Sequence, residues 1–135
     1  MSAVRPSSFL RRVLQADALV SGAVGALLAA GALWLSPRLG LPAPFLAIVG
    51  LALLPFAAGL WILASRERIG RALLWAVIGG NVLWSVASVV LVASGWLAPT
   101  LLGLAFMLVQ AAVVLVFAEL EYFGLRRGMR LGHAT

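Results

Sequence analysis

Asp17, Asn81, Gln110, Glu119 and Glu121 lie inside long apolar stretches, where a polar side chain is costly and tends to face a bundle interior. A carboxylate in such a place can serve as a proton or cation site. An amide there either joins helices or lines a ligand pocket. Other chemistry is absent. There is no cysteine, so disulfides, thiolate metal sites and cysteine nucleophiles are excluded. The one histidine, His133, falls in the C-terminal tail, so no intramembrane haem or zinc centre is expected. No Ser/His/Asp set, metal cluster or phosphate loop occurs. No catalytic residue, metal or cofactor is therefore assigned, and an enzyme is not expected. Glu119 and Glu121 do not form an acid/base pair, because two residues along a helix place them roughly 200° apart.

Helical position gives each polar group a provisional place. Asp17 and Ser21 flank a stripe of small residues, Ala18, Gly22, Gly25, Ala29 and Ala32, that lets a neighbouring helix approach closely. Asp17 lies about one turn inside its apolar segment. It is read as an interfacial carboxylate that reaches water or pairs with Arg12 or Arg71; the alternative is a proton or cation site. Asn81, Ser85, Ser88 and Gly95 share one face, with Trp84 at its edge. Asn81 lies about 14 Å from its helix start, near mid-membrane. Gly103, Met107, Gln110, Val114, Phe117 and Glu121 share another face. An Asn81–Gln110 contact is the simplest way to satisfy both amides, and it is read as structural glue. Glu119 and Glu121 are expected to snorkel toward Arg126 or Arg127, with a subunit contact as the other role for Glu119. Pro55 interrupts an otherwise apolar helix, frees the carbonyl of Leu51, and places a possible kink beside Asn81 and Gln110.

The elements that hold these groups follow from composition. Of 135 residues, 64% are hydrophobic and 10% charged, too apolar for a soluble domain of this size. A bilayer core of about 30 Å needs about 20 apolar residues in a helix. Four stretches qualify, at about 13–35, 45–65, 72–96 and 100–123. The expected fold is all-α: one polytopic membrane domain over 1–135, a bundle of four transmembrane helices. Ser36-Pro37 and Pro42-Ala43-Pro44 mark an extended first connector, Arg66–Arg71 a short basic second, and Ala98-Pro99-Thr100 a third turn.

The net charge of +6 comes from ten arginines in short clusters flanking the spans, not from one patch, so nucleic acid is not an expected partner. Arg5, Arg11, Arg12, Arg66, Arg68, Arg71, Arg126, Arg127 and Arg130 fall on one side and Arg38 alone on the other. The positive-inside rule puts both termini in the cytoplasm. Trp34, Trp61 and Trp96 lie near span ends, as interfacial aromatics do. The first span is too long for a signal-peptide core, Asp17 interrupts it, and no small-x-small cleavage site precedes Pro37, so cleavage is not expected. Arg11-Arg12 lacks the rest of a twin-arginine signal.

The halves are alike. Asp17-Ala-Leu-Val-Ser21 aligns with Asn81-Val-Leu-Trp-Ser85, Gly31 with Gly95, Leu33 with Leu97, and Gly50-Leu-Ala52 with Gly103-Leu-Ala105. This predicts a helical hairpin repeated in the same orientation about an axis along the membrane normal.

Arg11-Arg12 with Asp17, Leu54-Pro55-Phe56-Ala57, Asn81 with Trp84, and Gln110 resemble the layout of small four-helix integral membrane proteins of bacteria. The resemblance spans the chain and implies the bacterial inner membrane, but no activity. Small multidrug resistance transporters also have four helices and an acid in the first. Here Asp17 lies nearer the boundary, and Trp and Tyr are missing where that family's substrate aromatics would be expected. The expected function is a non-enzymatic structural or accessory subunit, with the lipid bilayer and a membrane protein or second copy as partners. The alternative is a small proton-coupled transporter of lipophilic or cationic molecules, acting as a homodimer, with Asp17 or Glu119 as coupling acid.

Overall fold

The structure is a computed structural model that describes residues 3–134, with side chains as far as Arg127. The side chains of Arg130 and His133 lie outside the described residues. Four helices follow one another: α1 Ser8–Leu39, α2 Ala43–Ala64, α3 Arg71–Ser94 and α4 Leu101–Ala134. Each contains a segment long and apolar enough to cross a membrane. The protein is an all-α, four-helix, multi-pass membrane protein. One end of the bundle carries the chain termini and the α2–α3 connector; this is the arginine-rich end. The other carries the α1–α2 and α3–α4 loops.

Local chemistry sets the helix ends. Ser7 caps α1, its Oγ accepting from the Leu10 N–H at 3.1 Å. α1 does not stop at Ser36-Pro37 as the sequence suggests; it continues to Leu39 with Pro37 inside it. In the last turn Pro37 removes a single backbone donor, and its fixed φ suits a helix. The stop is Gly40, at φ 66°, where the chain turns left-handed and the Gly40 N–H closes onto the Ser36 carbonyl. Gly95, at φ 76°, ends α3 with the same left-handed turn. Thr100 serves the start of α4, its Oγ1 accepting from Gly103 N at 3.1 Å and donating to Arg38 O at 2.7 Å.

α1 is the central helix. It packs against α2 and α4, and α3 packs on α4, while α2 and α3 scarcely touch. The small-residue stripe of α1 lies against α2: a Cβ on Gly50 would sit 2.7 Å from the Gly25 carbonyl and collide with the Ala29 backbone. Only glycine permits that crossing. At the loop end, Gly103 meets the Leu39 carbonyl just as closely, and the Thr100 N–H donates to Leu39 O at 3.0 Å. The sequence did not suggest a further element: β1 (Ala3–Val4) pairs antiparallel with β2 (Ile69–Gly70), laying the N-terminal segment across the arginine-rich end. Beneath it Leu10, Leu14, Ile69, Leu74 and Leu125 are wholly buried in one apolar layer. A second apolar cluster, around Leu28, Leu35, Leu46 and Met107, fills the loop end.

Candidate functional site

The polar side chains form two networks between these apolar layers. The first lies toward the arginine-rich end. Asn81 Nδ2 donates to Asp17 Oδ2 at 3.0 Å and to Glu121 Oε1 at 2.8 Å. Ser21, one turn along α1, donates from Oγ to Asp17 Oδ1 at 3.1 Å. Three helices thus meet on one amide nitrogen. Asp17 is 2% exposed, Asn81 4% and Glu121 0%. Glu121 Oε2 is buried with no hydrogen-bond partner among the described residues. The two residues that the repeat aligns, Asp17 and Asn81, are the ones that bond across α1 and α3.

The second network joins α3 to α4 alone. Trp84 Nε1 donates to Gln110 Oε1 at 2.8 Å, and Gln110 Nε2 donates to Ser88 Oγ at 3.0 Å and to Met107 O at 2.9 Å. Ser88 Oγ donates in turn to Trp84 O at 2.8 Å. Ser85 is buried and donates to Ala111 O at 2.8 Å.

Three placements differ from those expected. Asn81 does not bond Gln110; it bonds the two acids. The cause is the antiparallel register of α3 and α4: Ser85 opposes Ala111, so Asn81, one turn toward the arginine-rich end, lies past Gln110 and within reach of Glu121. Asp17 does not reach water and, among the described residues, bonds Ser21 and Asn81 rather than Arg12 or Arg71. α1 begins at Ser8, five residues earlier than expected, and β1–β2 with the leucine layer covers the carboxylate. Glu121 does not snorkel to the arginines, because its position on α4 turns it inward to Asn81. Those arginines are placed otherwise: Arg126 stands 5.8 Å from the Tyr122 ring centroid, and Arg127 5.8 Å from that of Phe9. Glu119 is exposed on the outer face of α4. The signal for Glu121 was present in the sequence, since it shares the Gln110 face; the depth at which it finds Asn81 was not.

Cavities adjoin both networks. One of about 270 Å³ is bounded by Ser21, Leu53, Phe56, Asn81, Trp84 and Val114, so the residues flanking Pro55 form one of its walls. A second, of about 180 Å³, lies toward the loop end beside Phe45, Phe106, Met107, Gln110 and Trp84. The Trp34 and Arg38 side chains stack at the loop end, the guanidinium 3.8 Å from the ring.

No family model, curated protein or solved structure matches the chain.

Among the described residues no group of three or more His, Cys, Asp or Glu is placed to hold a metal ion. The acidic network has two carboxylates and one amide donor between them. Two like charges in a low-dielectric site need a positive counterpart, a proton or a cation, and the free oxygen of Glu121 is where one can bind. The surroundings of the pair are asymmetric. Leu10 and Leu14 precede Asp17 on α1, Leu74 precedes Asn81 on α3, and Leu125 follows Glu121 on α4, so each stands between the acids and the arginine-rich end. On the other side Ser21 and Asn81 are at once partners of the acids and walls of the larger cavity.

Proposed function

We propose that the protein is a small carrier of the bacterial inner membrane, with both termini cytoplasmic, that couples the movement of a small lipophilic molecule to protons through Asp17 and Glu121. The observation that carries this reading is the asymmetric setting of the acid pair. It is sealed by leucines toward the arginine-rich end and is one hydrogen bond from a cavity on the other side. An acid pair closed off toward one end of the bundle and bordered by a cavity on its other side is the arrangement that one half of an alternating-access cycle requires. A purely structural subunit would be better served by neutral side chains at positions 17 and 121, because two buried carboxyl groups cost stability until a proton or cation neutralises them. The acid pair is completed by α1, α3 and α4 of one chain, so the coupling site needs no second copy.

The orientation rests on the nine arginines at one end of the bundle. Reporter fusions at Ile69 and at the C-terminus are expected to read cytoplasmic, and one at Arg38 external. An external signal at Ile69 reverses the arrangement. Coupling is tested in proteoliposomes by pH-gradient-driven uptake of a panel of lipophilic amines and their neutral analogues. Uptake is expected with the wild-type chain and not with Asp17→Asn or Glu121→Gln. Equal uptake by the wild type and both folded variants would remove the acids from the mechanism.

A further inference from the structure

The seam between α2 and α3 sets the way into the cavity and the kind of molecule that fits. Every other pair of helices adjacent in sequence packs closely, but these two scarcely touch. The cavity beside the acid pair lies in this seam, between Leu53 and Phe56 of α2 and Gly80, Asn81 and Trp84 of α3. A separate cavity of about 360 Å³ occupies the same seam nearer the arginine-rich end, lined by Gly59, Arg66 and Leu73 and sharing only the Phe56 wall with the first. Gly59 and Gly80 line these spaces, and a Cβ built on either would meet nothing within 4 Å. That contrasts with Gly25 and Gly50 in the α1–α2 seam, where backbone fills the same space. Glycine permits close packing in one seam and leaves a gap in the other.

A gap between two bilayer-spanning helices opens onto lipid. Its contents must therefore partition from the hydrocarbon, and its walls are suited to that. Phe56, Leu53 and Val114 are apolar, and the indole N–H of Trp84 is committed to Gln110, so Trp84 offers only its apolar surface. Polar atoms stand at one end only, on Ser21 and Asn81, and both side chains donate to the carboxylate of Asp17. Behind them lie the two acids. Among the described residues the hydrogen bonds to the two acids come from Ser21 and Asn81 and not from an arginine, and the nearest basic side chain lining the seam, Arg66, borders the separate cavity beyond Phe56. The negative charge of the acid pair is thus felt at the polar end of an otherwise apolar, aromatic-walled chamber. Such a field in a low dielectric favours a positive head group, and the aromatic walls favour it further.

We infer that the α2–α3 seam is a lateral entrance from the bilayer to a site for small lipophilic amines, whose ammonium group points to Ser21 and Asn81. The inference rests on the carrier reading for its purpose, but its test does not depend on transport. The probe is 2-(1-naphthyl)ethylamine, with 2-(1-naphthyl)ethanol as the neutral isostere, and saturable binding is measured to the full chain in lipid nanodiscs. Gly80→Leu fills the cavity from open space, and leucine is a better helix former than glycine, so this variant is expected to fold. Gly79→Leu adds the same side chain at the neighbouring position, which lines neither cavity. The amine is expected to bind at least tenfold more tightly than the alcohol, and Gly80→Leu to weaken it at least tenfold while Gly79→Leu leaves it unchanged. Wild-type affinity in Gly80→Leu, equal affinity for the alcohol, or no saturable amine binding each overturns the inference. Saturable, Gly80-dependent amine binding without pH-driven uptake sustains this site and removes the coupled-carrier reading instead.

Discussion

The Trp84–Gln110–Ser88 network and the Asp17–Asn81–Glu121 network both join α3 to α4, about one turn apart on α3 and about three on α4, yet only the first closes on itself. In the first every group is neutral. The indole and amide donors all find acceptors, and the hydroxyl of Ser88 returns its proton to the Trp84 carbonyl. In the second, one amide serves two carboxyl groups, a third helix is drawn in, and one Glu121 oxygen finds no hydrogen-bond partner among the described residues. A neutral, saturated network is what helix association in a membrane requires. An acidic, unsaturated one costs stability and is retained where something must bind. The contrast separates a structural layer from a candidate functional one within the same pair of helices.

The largest effect that would break this contrast is at Asn81. Asn81→Leu removes the one donor that the two acids share among the described residues and is expected to destabilise the protein by about 3 kcal/mol, because both acids lose a hydrogen bond in the core. Unfolding of purified protein in detergent measures it, and a loss below about 1 kcal/mol would mean that the amide does not hold the acids. Glu121→Gln has a smaller effect of the opposite sign. It replaces a carboxyl group that must be neutralised to be buried with an amide that is always neutral, and is expected to leave stability unchanged or raise it by about 1 kcal/mol, while gradient-driven uptake is lost. A clear loss of stability in Glu121→Gln would make the acidic network glue after all. The smallest effect lies in the neutral network: Gln110→Leu is expected to cost about 1 kcal/mol, within the range of interhelical hydrogen bonds in membranes. Because the two networks share no hydrogen bond, Asn81→Leu and Gln110→Leu should add within about 0.5 kcal/mol in a double-mutant cycle. A coupling well above that would restore the direct Asn81–Gln110 contact that helical position alone suggests.

Hydrophobic run length was enough to read the four helices, since about 20 apolar residues have few other solutions in water or lipid. The glycine–alanine stripe of α1 announced a close helix crossing, and the divergence of Glu119 from Glu121 followed from the helical period. Helix ends were less legible. Pro37 read as a break but lies within the last turn of α1, because one lost donor near a helix end matters little while a left-handed Gly40 does stop the chain. The β1–β2 pair was illegible at two residues a strand, too short for any alternation to show.

By itself, then, the chain determined its solvent and its elements: an apolar composition that only a bilayer can dissolve, four spans, and a list of polar side chains that must turn inward. Tertiary structure alone decided which of those side chains meet. Periodicity fixes the direction in which a residue points around its own helix, but not the level at which it meets a neighbour. That level depends on the register between antiparallel helices. Here Ser85 against Ala111 sets it between α3 and α4, and Gly50 against Gly25, Gly103 against Leu39 and Thr100 bound to the end of α1 set it between α1 and its neighbours. A shift of one turn would have joined Asn81 to Gln110 and separated it from the acids. The observed register instead carries Asn81 to Asp17 and Glu121, and it leaves α2 and α3 far enough apart for a cavity to open beside them.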